Sequence, residues 1–329
     1  MDHEKYPLII VAGPTAVGKS ACAVRLAHRI GGEIISADSV QVYRGMDIGS
    51  AKVSDEEMEG IPHHMIDILD PEDPFDVTIF SEKARACVPE ICERGHIPIL
   101  TGGTGFYIQA LLYTIDFKPH SCDPACRQRL EQIAAGENGA EKLHAMLREK
   151  DPDAAMAIPR QNVRRVIRAL EYYHLTGEKI SVHNREQHRR EAAYEHVYFV
   201  LTDRREKIYE RINARVDAMI ADGLVQEVQR LKERGLTRQH SSMKALGYKE
   251  ILAYLDGECS LEEAAEKIKL ETRHFAKRQL TWFRREKDVI WIDRSTFPDE
   301  DAMLACMCEH IRWNASQSCE SVRKGSCKF

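Results

Sequence analysis

The run Gly13-Pro14-Thr15-Ala16-Val17-Gly18-Lys19-Ser20 has the composition of a phosphate cradle. Its glycines let backbone N–H groups turn inward around an anion, the lysine can reach an outer phosphate oxygen, and the Ser20 hydroxyl can hold a magnesium ion. The apolar run at 8–12 reads as a strand entering the loop, and residues 21–27 read as a helix leaving it. The loop therefore meets a helix N-terminus, whose unpaired N–H groups and dipole favour negative charge. The bare pattern should arise by accident in only ~1% of chains of this length. It predicts phosphate binding; whose phosphate is left open.

Three further groups of residues could act on such a ligand. Asp38 lies just past a second apolar run, where a strand's carboxyl end would face the phosphate loop. It could be a general base, an indirect magnesium ligand or a cap for the next helix. A second glycine-rich turn, Thr101-Gly102-Gly103-Thr104-Gly105-Phe106-Tyr107, could add backbone donors and the Thr104 hydroxyl. Arg211 and Arg215 stand four apart on a helical pattern, so either could clamp phosphate charge or sit on a solvated face.

Basic residues cluster twice more. Helical spacing aligns Arg160, Arg164 and Arg168, while Arg273, Lys277, Arg278, Arg284 and Arg285 interleave with Phe275, Trp282 and Phe283. Cations beside aromatic faces suit single-stranded or looped RNA, which needs phosphate attraction and stacking surfaces together. Taken alone, either cluster reads more readily as a solvated helix face than as an RNA surface.

Short apolar runs at 8–12, 33–36, 65–69 and 97–101 alternate with helical patterns at 20–30 and 81–94. That alternation predicts an α/β fold with a parallel sheet and ligands at the strands' carboxyl ends. Runs at 196–201 and 289–292 read as strands returning to the sheet. Helical patterns at 123–134, 140–150, 153–157 and 160–176 predict an α-helical insertion over 115–194, with Gly177 as a helix stop and 179–190 as a loop. Residues 1–114 and 195–295 then form the core, with helices at 203–223, 225–234, 244–255 and 260–285. The tail from 296 to 329 reads as partly polar and frayed at its end.

The 329 residues carry 47 Lys and Arg against 52 Asp and Glu, so any nucleic-acid contact must be a local patch. No apolar stretch approaches the ~20 residues of a membrane span and no signal peptide is evident, which points to the cytoplasm. Ten cysteines are too sparse for a disulfide scaffold. Cys306, Cys308, Cys319 and Cys327, with His310 nearby, lack zinc-finger spacing.

In order along the chain, seven segments resemble the bacterial tRNA dimethylallyltransferases, the IPP transferase family. They are GPTAVGKS at 13–20, ISADSVQVYRGMDIGSAK at 35–52, HHMIDILDP at 63–71, GGTGFY at 102–107, QNVRRVIRALE at 161–171, ALGYKE at 245–250 and AKRQLTWFR at 276–284. The resemblance implies a P-loop NTPase-like fold and transfer of a dimethylallyl group from its diphosphate to the exocyclic N6 of adenosine 37 in tRNA. Asp38 and Thr104 would be catalytic, and residues 13–20 with Arg215 would hold the diphosphate, with magnesium on Ser20. The anticodon loop would meet Asp38, Ser39, Val40, Gln41, Thr104, Arg127, Gln161, Asn162, Val163, Arg164, Arg165, Lys277, Arg278, Gln279, Trp282 and Arg284. A cytoplasmic monomer is expected.

Two other classes share parts of the pattern. A P-loop kinase for a small metabolite accounts for the first hundred residues but leaves the helical insertion unused. A non-catalytic RNA-binding ATPase predicts nucleotide hydrolysis without covalent change to RNA.

Overall fold

The structure, a computed structural model, describes residues 5–115, 123–187 and 191–311. Its first segment runs β1 (Pro7–Ala12), α1 (Lys19–Ile30), β2 (Gly32–Ser36), α2 (Asp55–Met58), β3 (His63–His64), α3 (Val77–Glu93), β4 (Ile97–Gly102) and α4 (Gly105–Leu112). Five helices follow: α5 (Pro124–Ala135), α6 (Gly139–Lys150), α7 (Pro152–Ala157), α8 (Val163–Thr176) and α9 (Ile180–Gln187). The chain then forms β5 (Glu195–Thr202), α10 (Arg205–Ala221), α11 (Leu224–Glu233), α12 (Tyr248–Leu255), α13 (Leu261–Phe283) and β6 (Val289–Asp293). A last helix, α14, covers 300–311.

All six strands are parallel, in the order β3-β2-β4-β1-β5-β6. Strands buried on both faces need continuous apolar runs, and β1 and β5 have them. Because β1 pairs with β4 and β4 with β2, the loops leaving these three strands converge at one end of the sheet. Gly102 makes the convergence tight: a Cβ there would lie 2.3 Å from the Ala37 carbonyl oxygen.

The run at 65–69 does not form the expected strand. Met65 and Asp67 adopt left-handed backbone angles, which end β3 after two residues. Their apolar neighbours Ile68 and Leu69 instead pack on the core built by α10 to α13. Glu33 anchors the sheet edge nearby. Its buried carboxylate accepts two bonds from Arg94, at 3.0 and 2.6 Å, and lies 2.6 Å from His64 Nε2.

Two compact units emerge. One runs to Leu112 and resumes at Ala193; the other is Tyr113–Ala192. The second has its own core, with Leu130, Leu143, Leu147, Val166 and Ile167 buried. Gly177 closes α8 in the left-handed conformation, as its position in the sequence predicts. Residues 180–187, expected as loop, are helical; α9 is short and polar, so periodicity gave no signal.

The start of the tail forms α14. Met303, Leu304, Met307 and Ile311 follow helical spacing and are buried in the core that includes β1, α1 and β5. Arg25 pairs with Glu300 and Asp301 and thereby ties α1 to α14. The frayed end expected of the tail, with Cys319 and Cys327, lies outside the described residues. Among the described residues, no helix is long and apolar enough to cross a membrane.

Candidate active site

At the converging strand ends lies a cleft of about 750 Å³, lined in part by Thr15, Gly18, Lys19, Ser20, Asp38, Ser39, Val40, Gln41, Thr104, Arg215, Arg278 and Gln279. Thr15, Ala16 and Gly18 bring the phosphate loop into its wall. Gly18 caps α1 at φ 92°, and a Cβ there would lie 2.1 Å from Arg294 Nη1. No acidic side chain occupies the first turn of α1 and no side chain caps it, which leaves its N–H donors for an anion.

Lys19 folds back on the loop, donating to the Pro14 carbonyl at 2.8 Å. Burial, then the positive charge of Arg215, pulls its amine down to about 7, with Asp38 opposing. An anion bound here would favour the charged amine. Arg215 is open to solvent, yet the crowded cleft wall still holds its guanidinium below the usual arginine range. Arg211 is turned elsewhere, onto Asp203 at 2.5 Å. Of the two arginines, Arg215 joins the lysine.

Asp38 caps a turn and not a helix, the next helix starting only at Asp55. Its Oδ1 accepts the N–H groups of Val40, at 2.8 Å, and Gln41, at 3.3 Å. Its Oδ2 makes no hydrogen bond among the described residues, and the side chain lines the cleft. One oxygen caps the turn while the other is available for chemistry. Across from it, Thr104 starts α4 with its carbonyl accepting from Tyr107 and Ile108.

The basic–aromatic helix divides its residues. Arg278 lies 5.8 Å from the Phe275 ring centroid, and both side chains line the cleft. Gln279, expected on the RNA face, is buried: its Oε1 accepts the Thr15 N–H at 2.8 Å and its Nε2 donates to the Gly103 carbonyl at 3.0 Å. It bolts the two glycine turns together. Trp282 packs over Gly105, edge-on to Phe106, with its ring centroid 6.3 Å from that of Phe106. Lys277 and Arg284 are exposed.

Val40 and Gln41 belong as much to the scaffold as to the cleft. Val40 packs on the core beside α10 to α13, and Gln41 donates to the Ala51 carbonyl while accepting from the Ser36 hydroxyl. In the helical unit, Gln161, Arg164, Arg165 and Arg168 are exposed. Asn162 caps α8, Val163 packs on that unit's core, and Arg127 pairs with Glu131 and Glu171.

A family model described as IPP transferase matches residues 41–286, and one described as isopentenyl transferase matches residues 6–70. The chain belongs to the IPP transferase family. A tRNA dimethylallyltransferase of Lachnoclostridium phytofermentans is 53% identical over 301 residues, covering 92% of this chain and 96% of the relative. One from Bacillus subtilis is 48% identical over 311 residues, covering 94% and 98%. The crystal structure of the full-length tRNA isopentenylpyrophosphate transferase of Bacillus halodurans superposes with a TM-score of 0.73 at 43% identity, covering 98% of this chain and 100% of that one. A eukaryotic dimethylallyltransferase captured acting on tRNA gives 0.76 at 31% identity, covering 88% and 74%.

In this member of the IPP transferase family, several supporting residues were not legible in the sequence. Glu227 is buried and accepts the N–H groups of Asp47 and Ile48, each at 2.9 Å, and of Gly49 at 3.1 Å. Tyr248 donates to the same carboxylate at 2.7 Å. Together they hold the 47–49 loop, and Gly49 lines the cleft. A carboxylate on the apolar stripe of Leu224, Val228 and Leu231 was the available signal. Arg294 donates to the Val17 carbonyl at 3.0 Å, bracing the phosphate loop from behind, with nothing local to mark it.

Proposed function

We infer that this protein is a tRNA dimethylallyltransferase, joining a dimethylallyl group to the N6 amine of adenosine 37 and releasing diphosphate. Its family membership and tRNA-modifying relatives support the reaction class. The observation that carries the residue assignment is the meeting of Asp38, Lys19 and Arg215 in one cleft.

The adenine amine is a weak nucleophile, because its lone pair is delocalised into the ring. In the proposed step that pair bonds to the allylic carbon, and the carbon–oxygen bond to diphosphate breaks with its electrons staying on oxygen. Asp38 accepts the N6 proton through its available oxygen. Lys19, Arg215 and the N–H groups at the start of α1 stabilise the departing charge, with Thr104 placed to add its hydroxyl. Resonance in the allylic group spreads positive charge on the carbon and eases the bond-breaking.

Magnesium belongs to the same proposal. The Ser20 hydroxyl lines the cleft with the Asp38 carboxylate, an oxygen-only set that suits a hard cation shared with phosphate oxygens. Bound there, the ion would neutralise part of the diphosphate charge.

The target base must leave its stack, at a cost of roughly a few kcal/mol. Phe275 and Arg278 at the cleft offer a stacking surface and a cation. Ser39, Lys277 and Arg284 add polar contacts in this unit, and Gln161, Arg164 and Arg165 form the second unit's contribution. A cytoplasmic monomer completes the reading, consistent with a tRNA substrate.

The test is mass spectrometry of nucleosides from unmodified tRNA incubated with the protein and dimethylallyl diphosphate. A prenylated adenosine at position 37 is expected. Unchanged tRNA together with ADP formation from ATP would overturn the proposal in favour of a kinase or an ATPase.

A further inference from the structure

The helical unit Tyr113–Ala192 carries a cluster that prenyl transfer does not use. Among the described residues, Asp123, Cys126 and His174 bring a carboxylate oxygen, a thiol sulfur and an imidazole nitrogen within 4.8 Å of one another. We propose that these three side chains bind a zinc ion that clips the start of α5 to the last turn of α8.

The local structure presents the ligands in a suitable order. Asp123 is the N-cap of α5, and its Oδ1 is used by the N–H groups of Ala125 and Cys126. That leaves Oδ2, which faces His174 Nε2 at 3.3 Å. Cys126 follows three residues later, on the same side of the first turn. Its thiol is buried, unoxidised, and without a hydrogen bond among the described residues. His174 is exposed, with 49% of its side chain open, so the ion would sit at the surface between a dry thiolate and a wet imidazole.

The chemistry selects the metal class. Thiolate, imidazole and carboxylate at bond lengths of roughly 2.0–2.3 Å are a zinc donor set, and three protein ligands leave a fourth tetrahedral position to water. Magnesium and calcium, which take oxygen ligands, would leave the sulfur and nitrogen unused. Closing the trio around zinc requires side-chain movement of about 1 Å, within reach of the rotamers of an exposed histidine. The Asp123–His174 contact by itself could be a plain surface ion pair; the Cys126 sulfur, at the edge of the unit's core and within 4.8 Å of both, is what points to a metal.

A brace at this point has a clear structural consequence. It would tie the N-terminus of α5 to α8, whose exposed face carries Arg164, Arg165 and Arg168.

The test is titration of the reduced full-length protein with cobalt(II) alone, followed through thiolate-to-cobalt charge transfer and tetrahedral visible bands, then displacement with zinc. His174→Ala is the leading variant, because the side chain is exposed and its loss should leave the fold intact by circular dichroism. Cys126→Ser and Asp123→Asn follow, the asparagine keeping the helix cap while losing the ligand charge. Wild type should give the thiolate signal, and each variant should weaken cobalt binding at least about tenfold. Zinc should also raise the melting temperature of wild type but not of His174→Ala. No thiolate signal in wild type, or one that survives in both His174→Ala and Cys126→Ser, would overturn the site.

Discussion

The cleft unit and the helical unit use charge in opposite ways. Around the phosphate loop, functional side chains are tied down. Lys19 is folded onto Pro14, Asp38 gives one oxygen to a turn, and Gln279 spans two glycine loops. On α8, Arg164 and Arg165 stand in solvent with no ion pair among the described residues. The contrast marks where preorganisation is needed. Charge that must be stabilised as a bond breaks requires fixed, partly desolvated partners, whereas attraction of a polyanion needs only accessible cations.

If the fixed side chains carry the chemistry, changing one should remove turnover and spare RNA binding. Asp38→Asn keeps the turn-capping oxygen but loses the base, and its single-turnover rate should fall by ~10²–10⁴. Near-normal prenylation in rapid-quench experiments would remove Asp38 from that role.

The supports behind the cleft come next. Glu227→Ala strands three backbone N–H groups and the Tyr248 hydroxyl. It should lower stability by about 3 kcal/mol or more in denaturant unfolding. A loss within ordinary surface scatter would mean that water replaces the carboxylate and the loop needs no brace.

The phosphate end should also respond to pH. With the free Lys19 amine held at about 7, the cationic form dominates below that pH and the neutral form above it. Diphosphate favours the cation, so donor affinity should fall by up to ~10-fold per pH unit above 7. Calorimetry in buffers of different ionisation enthalpy would reveal the matching proton uptake, and a flat profile would place Lys19 away from the diphosphate.

The smallest effect belongs to the solvated face. Neutralising Arg164 and Arg165 together should make the log-affinity versus log-salt slope for tRNA shallower, by about 0.7 for each RNA phosphate that is no longer neutralised. Single-turnover rate at saturating tRNA should hold. An unchanged slope would leave those arginines as solvated surface.

What the sequence disclosed divides along the same line. The phosphate loop and the turn at 101–107 were legible because each is a short backbone pattern between a strand and a helix, and Asp38 because it follows a strand end. Glu227, Arg294 and the buried amide of Gln279 were not, because their partners lie far along the chain; Gln279 and Thr15 are 264 residues apart. Residues 65–69 misled because an apolar run can pack from a turn as well as from a strand. The helix at 300–311 had visible spacing in Met303, Leu304, Met307 and Ile311, but the polar residues around it masked the pattern.

The central claim is that Lys19 and its loop handle the diphosphate while other residues hold the RNA. Lys19→Ala tests it most directly when both substrates are measured on the same preparation. Donor use, as kcat/KM for dimethylallyl diphosphate, should fall by ~10²–10³. The Kd for tRNA, read by filter binding without donor, should stay within about twofold of wild type. A comparable loss on both arms would contradict the account, because the loop would then be holding RNA phosphate.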